Sequence, residues 1–389
     1  MKILEVTTLF PRWAGDGRGP IILLIARALQ KEGAEVLVIS QHGPKSTSRE
    51  NIDGVTVFRP RYMWPAKYEI LQETGGGLPA AWEKKPVSRL LFPLLLIAQM
   101  SAILRFAKHY DVIHAQFTIP AMAATLTKPF HRKPIVTTVR GSDIYRIPKF
   151  TFGKLFNRIA LGGSDKITVM SKDLQQATVA LGIPESKFEY LPPPIDLERF
   201  QSAEWKDREP LILYIASLIP RKGPRFLIEA FKKIEQRFPN YRLIMIGSGP
   251  EEGMLKELVT QLDIREKVQF IPSQTQEQVA DWLRRASLFV LPSLEEALGM
   301  VAVEALASGT PVVGSRVGGI PEVITPETGR LVTPGDADEL AITISSLLES
   351  PEVLEQMSKN ARPWVEANFY SHEQNARHLL RIFDALAKT

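Results

Sequence analysis

The sequence predicts an α/β protein with two doubly wound domains, each built on a parallel sheet. Its 389 residues exceed what one hydrophobic core of ordinary size accommodates. Short β-rich apolar runs alternate with helical patterns, as in parallel sheets covered by helices. This alternation stops at Pro192-Pro193-Pro194, which fits neither a regular helix nor a central strand, and then starts again. We therefore predict an N-terminal domain at residues 1–194, a C-terminal domain at 195–370 and a terminal helical segment at 371–389.

The N-terminal domain is predicted to begin with a buried strand and a helix at residues 21–32. Its apolar runs predict strands at residues 2–8, 35–40, 55–58, 111–116, 134–139 and 166–170. Residues 59–89 are rich in Pro, Gly and aromatic side chains and predict a mobile loop. Because ligands of such sheets bind beyond the carboxyl ends of the strands, the segments after the strands are candidate binding loops.

The C-terminal domain repeats the pattern. Strands are predicted at residues 211–216, 242–246, 267–271, 288–291, 311–315 and 329–332, with helices between them, one of them at 225–238. The chain ends in a helical pattern at residues 372–388. The alternation indicates a second domain of the Rossmann type.

Composition restricts the class of protein. With 44% apolar and 23% charged residues the chain is an ordinary globular protein, and the lack of cysteine excludes disulfides, thiolate metal ligands and cysteine nucleophiles. The acidic Glu5 precedes any apolar run, so no signal peptide is predicted and a cytoplasmic location is expected. Residues 128–158 carry eight Lys or Arg against one Asp. Their positive potential favours anionic ligands, but no nucleic-acid-binding motif accompanies them.

The longest apolar run, residues 90–104, is interrupted by Pro93, Gln99 and Ser101. It is shorter than the roughly 20 residues that span a bilayer, so no membrane crossing is expected. Basic residues flank it on both sides. Two interpretations stay open: a helix that rests on an anionic membrane surface, or a buried helix with solvated ends.

Two carboxylates in the C-terminal half are hard to explain structurally. Glu296 and Glu304 lie eight residues apart, the first in a turn after a strand and the second in a helix that is apolar on nearly every side. Such a helix is buried, and an ionised carboxylate in it is costly unless a ligand or partner provides hydrogen bonds. The turn also presents a helix N-terminus, which favours an anion. Strand, turn and acids together predict a ligand site.

This segment resembles the retaining glycosyltransferases of family 4. The resemblance rests on the E-x7-E spacing of Glu296 and Glu304, the run EALASGTPVV at residues 304–313 and the motif Gly318-Gly319-Ile320-Pro321-Glu322. Family members usually have E-G-F-G where this chain has Glu296-Ala297-Leu298-Gly299, so the middle of the turn differs. The resemblance extends over almost the whole chain. It implies the GT-B architecture, with two Rossmann-like domains that face each other across a cleft, a terminal helix packed on the N-terminal domain, and nucleotide-diphosphate sugars as substrates.

The donor site implied by the resemblance lies mainly in the C-terminal domain. Arg221 and Lys222 follow a predicted strand and precede a helix, where a diphosphate would bind. Lys222 matches the family lysine for the donor diphosphate, and Arg221 is our substitute for a second cation that relatives carry at Ser217. The resemblance places Glu304 at the ribose hydroxyls and Glu296 near the transferred sugar. We assign catalytic roles to Glu296, Lys222 and Arg221. We assign donor binding to a larger set: Gly17, Arg18, Gly19, Gly249, Leu298, Gly299, Met300, Val301 and Glu304.

Each of these assignments has a structural alternative. Glu296 could cap a helix, Glu304 could be satisfied by main chain or an arginine, and the two loop cations could be solvated. The glycines could serve simple turns.

Acceptor binding is expected in the N-terminal domain. Many relatives have Thr-x-His-Gly where this chain has Thr138-Val139-Arg140-Gly141, and a guanidinium is no general base at neutral pH. Arg140 could instead bind an anionic or hydroxylated acceptor. His114 is the nearest remaining imidazole, unless it is a hydrogen-bonded structural residue. We assign acceptor binding to His114, Arg140 and Asp143.

No metal site is predicted. Asp336-Ala337-Asp338 resembles the cation motif of another glycosyltransferase fold, but its place before a helical run favours N-capping. Lysine and helix-dipole charge would then stabilise the departing diphosphate.

The expected function is retaining, metal-independent transfer of a hexose from a UDP- or GDP-sugar, a co-substrate rather than a cofactor, to a saccharide, lipid-linked or small-molecule acceptor. Peripheral contact with an anionic membrane is expected, and contact with nucleic acid is not. The alternatives are a nucleotide-sugar epimerase of the same fold and a non-catalytic sugar-nucleotide binding protein.

Overall fold

The computed structural model describes residues 1–13, 16, 19–44, 46–72 and 86–388. The chain forms two compact units. The first contains Met1–Pro193 and the C-terminal segment that starts at His372, and the second is Pro194–Ser371. The N-terminal unit therefore includes the last helix of the chain.

The N-terminal unit is built on an eight-stranded sheet with the order β3-β4-β2-β1-β5-β6-β7-β8. Neighbouring strands are parallel except β3 and β4. The strands are β1 (Lys2–Thr7), β2 (Glu35–Ile39), β3 (Arg49–Ile52), β4 (Val55–Phe58), β5 (Val112–Gln116), β6 (Ile135–Thr138), β7 (Lys166–Val169) and β8 (Phe188–Tyr190). Two strands were not predicted from the sequence: β3, a polar edge strand, and β8, which has only three residues.

Helices cover this sheet. They are α1 (Pro20–Lys31), α2 (Phe92–Phe106), α3 (Thr118–His131), α4 (Gly141–Tyr145), α5 (Gly153–Gly162), α6 (Lys172–Val179) and the terminal helix (His372–Ala387). The terminal helix packs on α1, where Arg377 Nε lies 3.0 Å from Glu32 Oε1. Asn375 Nδ2 donates to the Pro192 carbonyl at 2.8 Å, and Phe383 is fully buried. These contacts attach the end of the chain to the N-terminal unit.

The segment between β4 and β5 contains the predicted loop and the apolar run. Residues 73–85 of the loop, with Gly75-Gly76-Gly77, lie outside the described residues, and short 3-10 turns precede them at Ala66–Tyr68 and Ile70–Gln72. The helical stretch Arg89–His109 has 21 residues and is long and apolar enough to cross a membrane by length and composition. The prediction that this run is too short was wrong, because turns at both ends extend α2. One face of α2 is nevertheless buried in the core of the unit, around Leu95 and Ile103.

The C-terminal unit is built on a six-stranded parallel sheet with the order β11-β10-β9-β12-β13-β14. The strands are β9 (Glu209–Ile215), β10 (Arg242–Ile246), β11 (Val268–Ile271), β12 (Ala286–Leu291), β13 (Val312–Ser315) and β14 (Gly329–Val332). Counted along the chain this is the Rossmann order, in which the winding direction changes between β9 and β12. The fold prediction of two doubly wound parallel-sheet units is thus confirmed, and the switch point locates the candidate site.

The helices of the C-terminal unit are α7 (Pro224–Ile234), α8 (Glu252–Gln261), α9 (Gln276–Arg285), α10 (Met300–Ala307), α11 (Ile320–Val323), α12 (Ala337–Leu348) and α13 (Pro351–Asn368). Most have one apolar stripe. In α7, Leu227, Phe231 and Ile234 are buried in one core with strand residues, and each such side chain stabilises the fold by about 1.5–3 kcal/mol. The sequence of α10 is apolar all round, apart from Glu304.

Candidate active site

Two loops at the carboxyl edge of the C-terminal sheet form the base of the site. One follows β9 and the other follows β12, the strands at the switch point. The Leu294 N–H donates to the Arg221 carbonyl at 2.8 Å. Gly223 has φ 64°, and a Cβ there would lie 2.0 Å from the Pro292 carbonyl oxygen. Only glycine allows the two loops to approach this closely.

Lys222 and Glu296 form an ion pair across these loops. Lys222 Nζ contacts Glu296 Oε2, and the two side chains are 16% and 14% exposed. The other carboxylate oxygen accepts the Ala297 N–H at 3.2 Å. Gly318 supports the turn, since a Cβ there would lie 1.7 Å from the Glu296 carbonyl oxygen. The pair satisfies both charges, so an anion that binds Lys222 has to compete with Glu296.

A third loop, which follows β10, packs beside the first. The Leu218 N–H donates to the Ser248 carbonyl at 3.1 Å, and the Leu218 carbonyl accepts the Glu251 N–H at 3.2 Å. A Cβ at Gly249 would lie 2.2 Å from the Leu218 carbonyl oxygen. Close packing of two loops therefore already requires glycine at this position.

A row of free N–H groups begins α10. Gly299, left-handed at φ 88°, is the N-cap of the helix. In the described part of the chain, no acceptor lies opposite the N–H groups of Leu298, Gly299, Met300 and Val301. Adjacent donors at a helix N-terminus, with its positive dipole end, form an anion-binding surface. A phosphate or sugar oxygen would satisfy them.

Glu304 lies one turn further along the open face of α10. Three helix positions keep some exposed surface, and they share this face: Met300, Val301 and Glu304. Within the described residues the Glu304 carboxyl group has no hydrogen-bond partner. Burial raises its pKa to about 8, while Arg199 acts in the opposite direction. A carboxyl group so placed gains stability from a ligand that supplies hydroxyl groups.

Two arginines near this site, both within the described ranges, make no ion pair with Glu296, unlike Lys222. The Arg221 side chain is exposed and makes no ion pair among the described residues, and only its carbonyl joins the loops. Arg199 forms ion pairs with two acids: its Nη2 lies 3.4 Å from Asp196 Oδ2, and its Nε lies 3.5 Å from Glu277 Oε1. Arg199 was not among the predicted site residues, because it follows the proline run, which was interpreted only as a domain boundary.

The switch point of the N-terminal sheet, between β1 and β5, holds a buried polar network. His114 is fully buried, with Nδ1 2.9 Å from Glu5 Oε2 and Nε2 2.7 Å from Thr138 Oγ1. Gln116 Nε2 donates to Glu5 Oε1 at 2.7 Å. Because both imidazole nitrogens are occupied, the geometry favours the structural interpretation of His114 over direct acceptor contact. Glu5, an acid inside an apolar strand, served in the sequence only as an argument against a signal peptide, although its position also indicates a buried polar network.

Arg140 extends this network. One of its guanidinium nitrogens, Nη2, donates to Gln116 Oε1 at 3.1 Å, and its Nε has no partner among the described residues. Burial lowers the pKa of the guanidinium. The guanidinium carbon lies 5.7 Å from the Phe117 ring centroid, and Phe117 has φ 81°, a strained value for a non-glycine residue. Strain of this kind concentrates at binding sites.

Asp143 follows Arg140 by three residues, in the first turn of α4. Its carboxylate accepts the Arg140 N–H at 3.1 Å. The side chain is almost fully buried, and burial raises its pKa to about 7. Its position favours a role in holding the Arg140 backbone.

The remaining candidates are placed as follows. Gly17 and Arg18 lie outside the described residues. Gly19 is left-handed at φ 63° and is the N-cap of α1, and a Cβ there would lie 2.7 Å from the Leu9 carbonyl oxygen. Asp336 is the N-cap of α12, because one of its oxygens accepts the Asp338 and Glu339 N–H groups, both at 2.9 Å.

Two family models account for most of the chain. Residues 17–199 match the model described as Glycosyltransferase Family 4, and residues 196–364 match the model described as Glycosyl transferases group 1. The chain is a glycosyltransferase with a family 4 domain followed by a group 1 domain. The resemblance seen in the sequence is thereby confirmed, as is the assignment as a glycosyltransferase enzyme.

Individual proteins agree with this assignment. The glycosyltransferase is 28% identical, over the full length of both chains, to the putative teichuronic acid biosynthesis glycosyltransferase TuaC of Bacillus subtilis. Its fold is similar to that of sucrose-phosphate synthase from Thermosynechococcus elongatus, with a TM-score of 0.80, 22% identity and 99% of each chain covered. It is also similar to Anabaena HepE in complex with UDP-glucose, with a TM-score of 0.74, 19% identity, and 99% of this chain and 100% of HepE covered. These likenesses show the GT-B fold.

Proposed function

We propose that this glycosyltransferase moves a hexose from a UDP- or GDP-sugar to a hydroxyl group of a saccharide, lipid-linked or small-molecule acceptor, with retention at the anomeric carbon and without a metal ion. The proposal depends on the groups that meet at the carboxyl edge of the C-terminal sheet. There Lys222, the free N–H groups at the start of α10 and the unpaired Glu304 occur together. The UDP-glucose bound by HepE supports the donor class.

The donor diphosphate is proposed to bind the N–H groups of residues 298–301 and the ammonium group of Lys222. Glu296 then loses its partner to the phosphate and becomes available to the transferred sugar. Glu304 receives the ribose, since a carboxylate can accept hydrogen bonds from both hydroxyls of a vicinal diol. Gly249 lets the third loop lie close to the donor.

In the proposed reaction, the bond between the anomeric carbon and the diphosphate oxygen breaks, and the acceptor oxygen bonds to the same face of the carbon. The leaving phosphate oxygen takes the acceptor proton, so the route needs no protein base. Lys222 and the α10 dipole stabilise the charge on the departing diphosphate. The occupied nitrogens of His114 and the permanent charge of Arg140 favour this route.

The acceptor is proposed to bind the N-terminal unit at Arg140. A guanidinium with an unpartnered Nε, beside a strained Phe117, suits an anionic or hydroxyl-rich group. A cytoplasmic location with peripheral contact to an anionic membrane belongs to the same proposal.

Donor binding and transfer can be tested separately. UDP-sugars or GDP-sugars should raise the melting temperature of the wild-type protein, because a ligand that binds only the folded state stabilises it. Glu304→Ala should lose this shift and lose transfer, and Lys222→Ala should weaken both strongly, whereas Ile342→Ala, at an exposed site on α12, should keep both. Full transfer by Glu304→Ala would remove this residue from the mechanism.

Stereochemistry and metal independence need their own measurements. The anomeric coupling constant of the product, measured by NMR before mutarotation, should be that of the donor. Transfer should proceed at an unchanged rate in excess EDTA. An inverted product or an EDTA-sensitive rate would contradict the corresponding part of the proposal.

A further inference from the structure

Three neighbouring helices of the N-terminal unit expose apolar side chains. In the structure α2 packs against α3, and α3 packs against α5. Nine large apolar side chains on these helices and their N-terminal flanks are between 39% and 78% exposed: Leu90, Leu94, Ile97, Leu104, Leu126, Phe130, Phe152, Leu155 and Ile159. We call this set the three-helix face. Contiguous apolar surface of this kind marks an interaction site on a globular protein.

The outward direction of these residues follows from helical spacing. Leu90, Leu94, Ile97 and Leu104 recur on one side of α2, while Leu95, Ala98, Gln99, Ala102 and Ile103 on its other side are buried. Gln99 also donates to the Thr7 carbonyl at 3.3 Å. The unit's own core therefore uses only the inner side of α2, and the outer apolar side needs another explanation.

The charged residues of the three helices themselves are all basic. The sequences of α2, α3 and α5 contain no Asp or Glu. Exposed cations lie on the same helices or directly beside them: Arg89, Arg105, Lys108, Arg132, Lys154 and Arg158. Such a surface is complementary to an anionic partner. Association of two copies through this face would bring like charges together.

A cavity of about 480 Å³ lies at one end of the face, where α2 and α5 begin. Four phenylalanines line it, together with Arg89 and Lys149. The Arg89 guanidinium carbon lies 5.4 Å from the Phe150 ring centroid. An apolar hollow with two cations at its wall suits a phosphate headgroup that is attached to hydrocarbon.

We propose that the three-helix face docks on an anionic lipid bilayer, with its apolar side chains in the headgroup region and its cations at the lipid phosphates. The inner side of α2 is fixed in the protein core, so α2 lies along the membrane surface and does not cross it. This inference rests on the proposed function and deepens it, because it assigns the surface that makes the membrane contact.

Co-sedimentation of the full chain with vesicles tests the inference. Wild-type protein should bind vesicles of phosphatidylcholine mixed with phosphatidylglycerol at low salt, and should bind vesicles of phosphatidylcholine alone at least about tenfold more weakly. The double variant Ile97→Glu with Leu155→Glu should reduce partitioning into anionic vesicles by at least roughly tenfold. Lys154→Glu with Arg158→Glu should also reduce it by roughly tenfold or more, and added salt should weaken wild-type binding.

Matched controls separate docking from folding and catalysis. Ile342→Glu changes an isoleucine that is 70% exposed on the C-terminal unit and should bind vesicles like the wild type. All variants should keep the melting temperature and its shift with nucleotide sugar, so a docking failure is distinguishable from a failure of the donor site. No wild-type binding to anionic vesicles at low salt would overturn the inference. So would equal binding by the Ile97/Leu155 and Ile342 variants, or a dimer in ultracentrifugation that the Ile97/Leu155 variant dissociates.

Discussion

Replacing Glu304 with glutamine should make the protein more stable while it abolishes transfer. Glutamine keeps the shape of the side chain and removes the charge. In the folded protein the pKa of Glu304 is raised from an ordinary value of 4.5 to about 8. The folded state therefore holds the Glu304 proton more tightly than the unfolded state does.

The sign and size of the effect follow from proton linkage. The stability associated with the protonated group is fully present below pH 4.5 and is lost as the pH rises towards 8. One pKa unit corresponds to about 1.36 kcal/mol. The ionisable group thus costs ~3 kcal/mol at pH 7 and ~5 kcal/mol above pH 8. Glutamine removes this cost, because it has no proton to lose in either state.

Calorimetry between pH 5 and pH 9 measures the difference. The melting temperature of the C-terminal unit in Glu304→Gln should exceed that of the wild type by roughly 10 °C at pH 8 to 9, and the gap should close towards pH 5. Glu257→Gln, at an exposed position of α8, should behave like the wild type at every pH. A difference in melting temperature that stayed constant from pH 5 to pH 9 would show that the proton of Glu304 is held equally in the folded and unfolded states.

Three further perturbations test the geometry. Lys222→Ala should lower kcat by roughly 10²- to 10³-fold, because it removes a positioned charge at the departing diphosphate, while Arg221→Ala should lower it less than about tenfold; steady-state kinetics compares them. Gly318→Ala should destabilise the fold by ~2 kcal/mol or more in urea unfolding, because its Cβ would overlap the Glu296 carbonyl oxygen, and an unchanged midpoint would show that the turn relaxes freely. His114→Ala should cost ~2–4 kcal/mol of stability, since it leaves Glu5 and Thr138 buried with fewer partners; if it instead kept its stability and lost acceptor affinity, direct acceptor contact would be the better interpretation.

The sequence was most informative where apolar residues form an unbroken run, and where a charged residue interrupts such a run. Buried parallel strands such as β9 and β12 are runs of apolar residues, so their positions were readable. The polar edge strand β3 carried no such run. Glu304 was recognised by contrast with its neighbours. An acid surrounded by apolar residues needs an explanation that composition alone does not offer.

What the sequence could not provide was proximity. Lys222 and Glu296 meet only because β9 and β12 are neighbours in the sheet, which is a property of the topology. The burial of His114 between Glu5 and Thr138 depends on the same kind of neighbourhood, across β1, β5 and β6. The apolar run of α2 was visible, but its exposure, and the contribution of α3 and α5 to one face, depend on how the helices pack.

The two acids of the candidate site are neutralised in different ways, and the difference explains the proposed order of events. Burial raises the pKa of Glu304 to about 8 and so favours its neutral form before a ligand binds, whereas Glu296 is paired with Lys222. A diphosphate brings negative charge that the free N–H groups and Lys222 can receive, and in the proposed mechanism it takes Lys222 away from Glu296. The released carboxylate then lies beside the sugar, where positive charge develops as the anomeric bond breaks. Donor binding would thus itself convert a paired, inactive Glu296 into a group that stabilises the transition state.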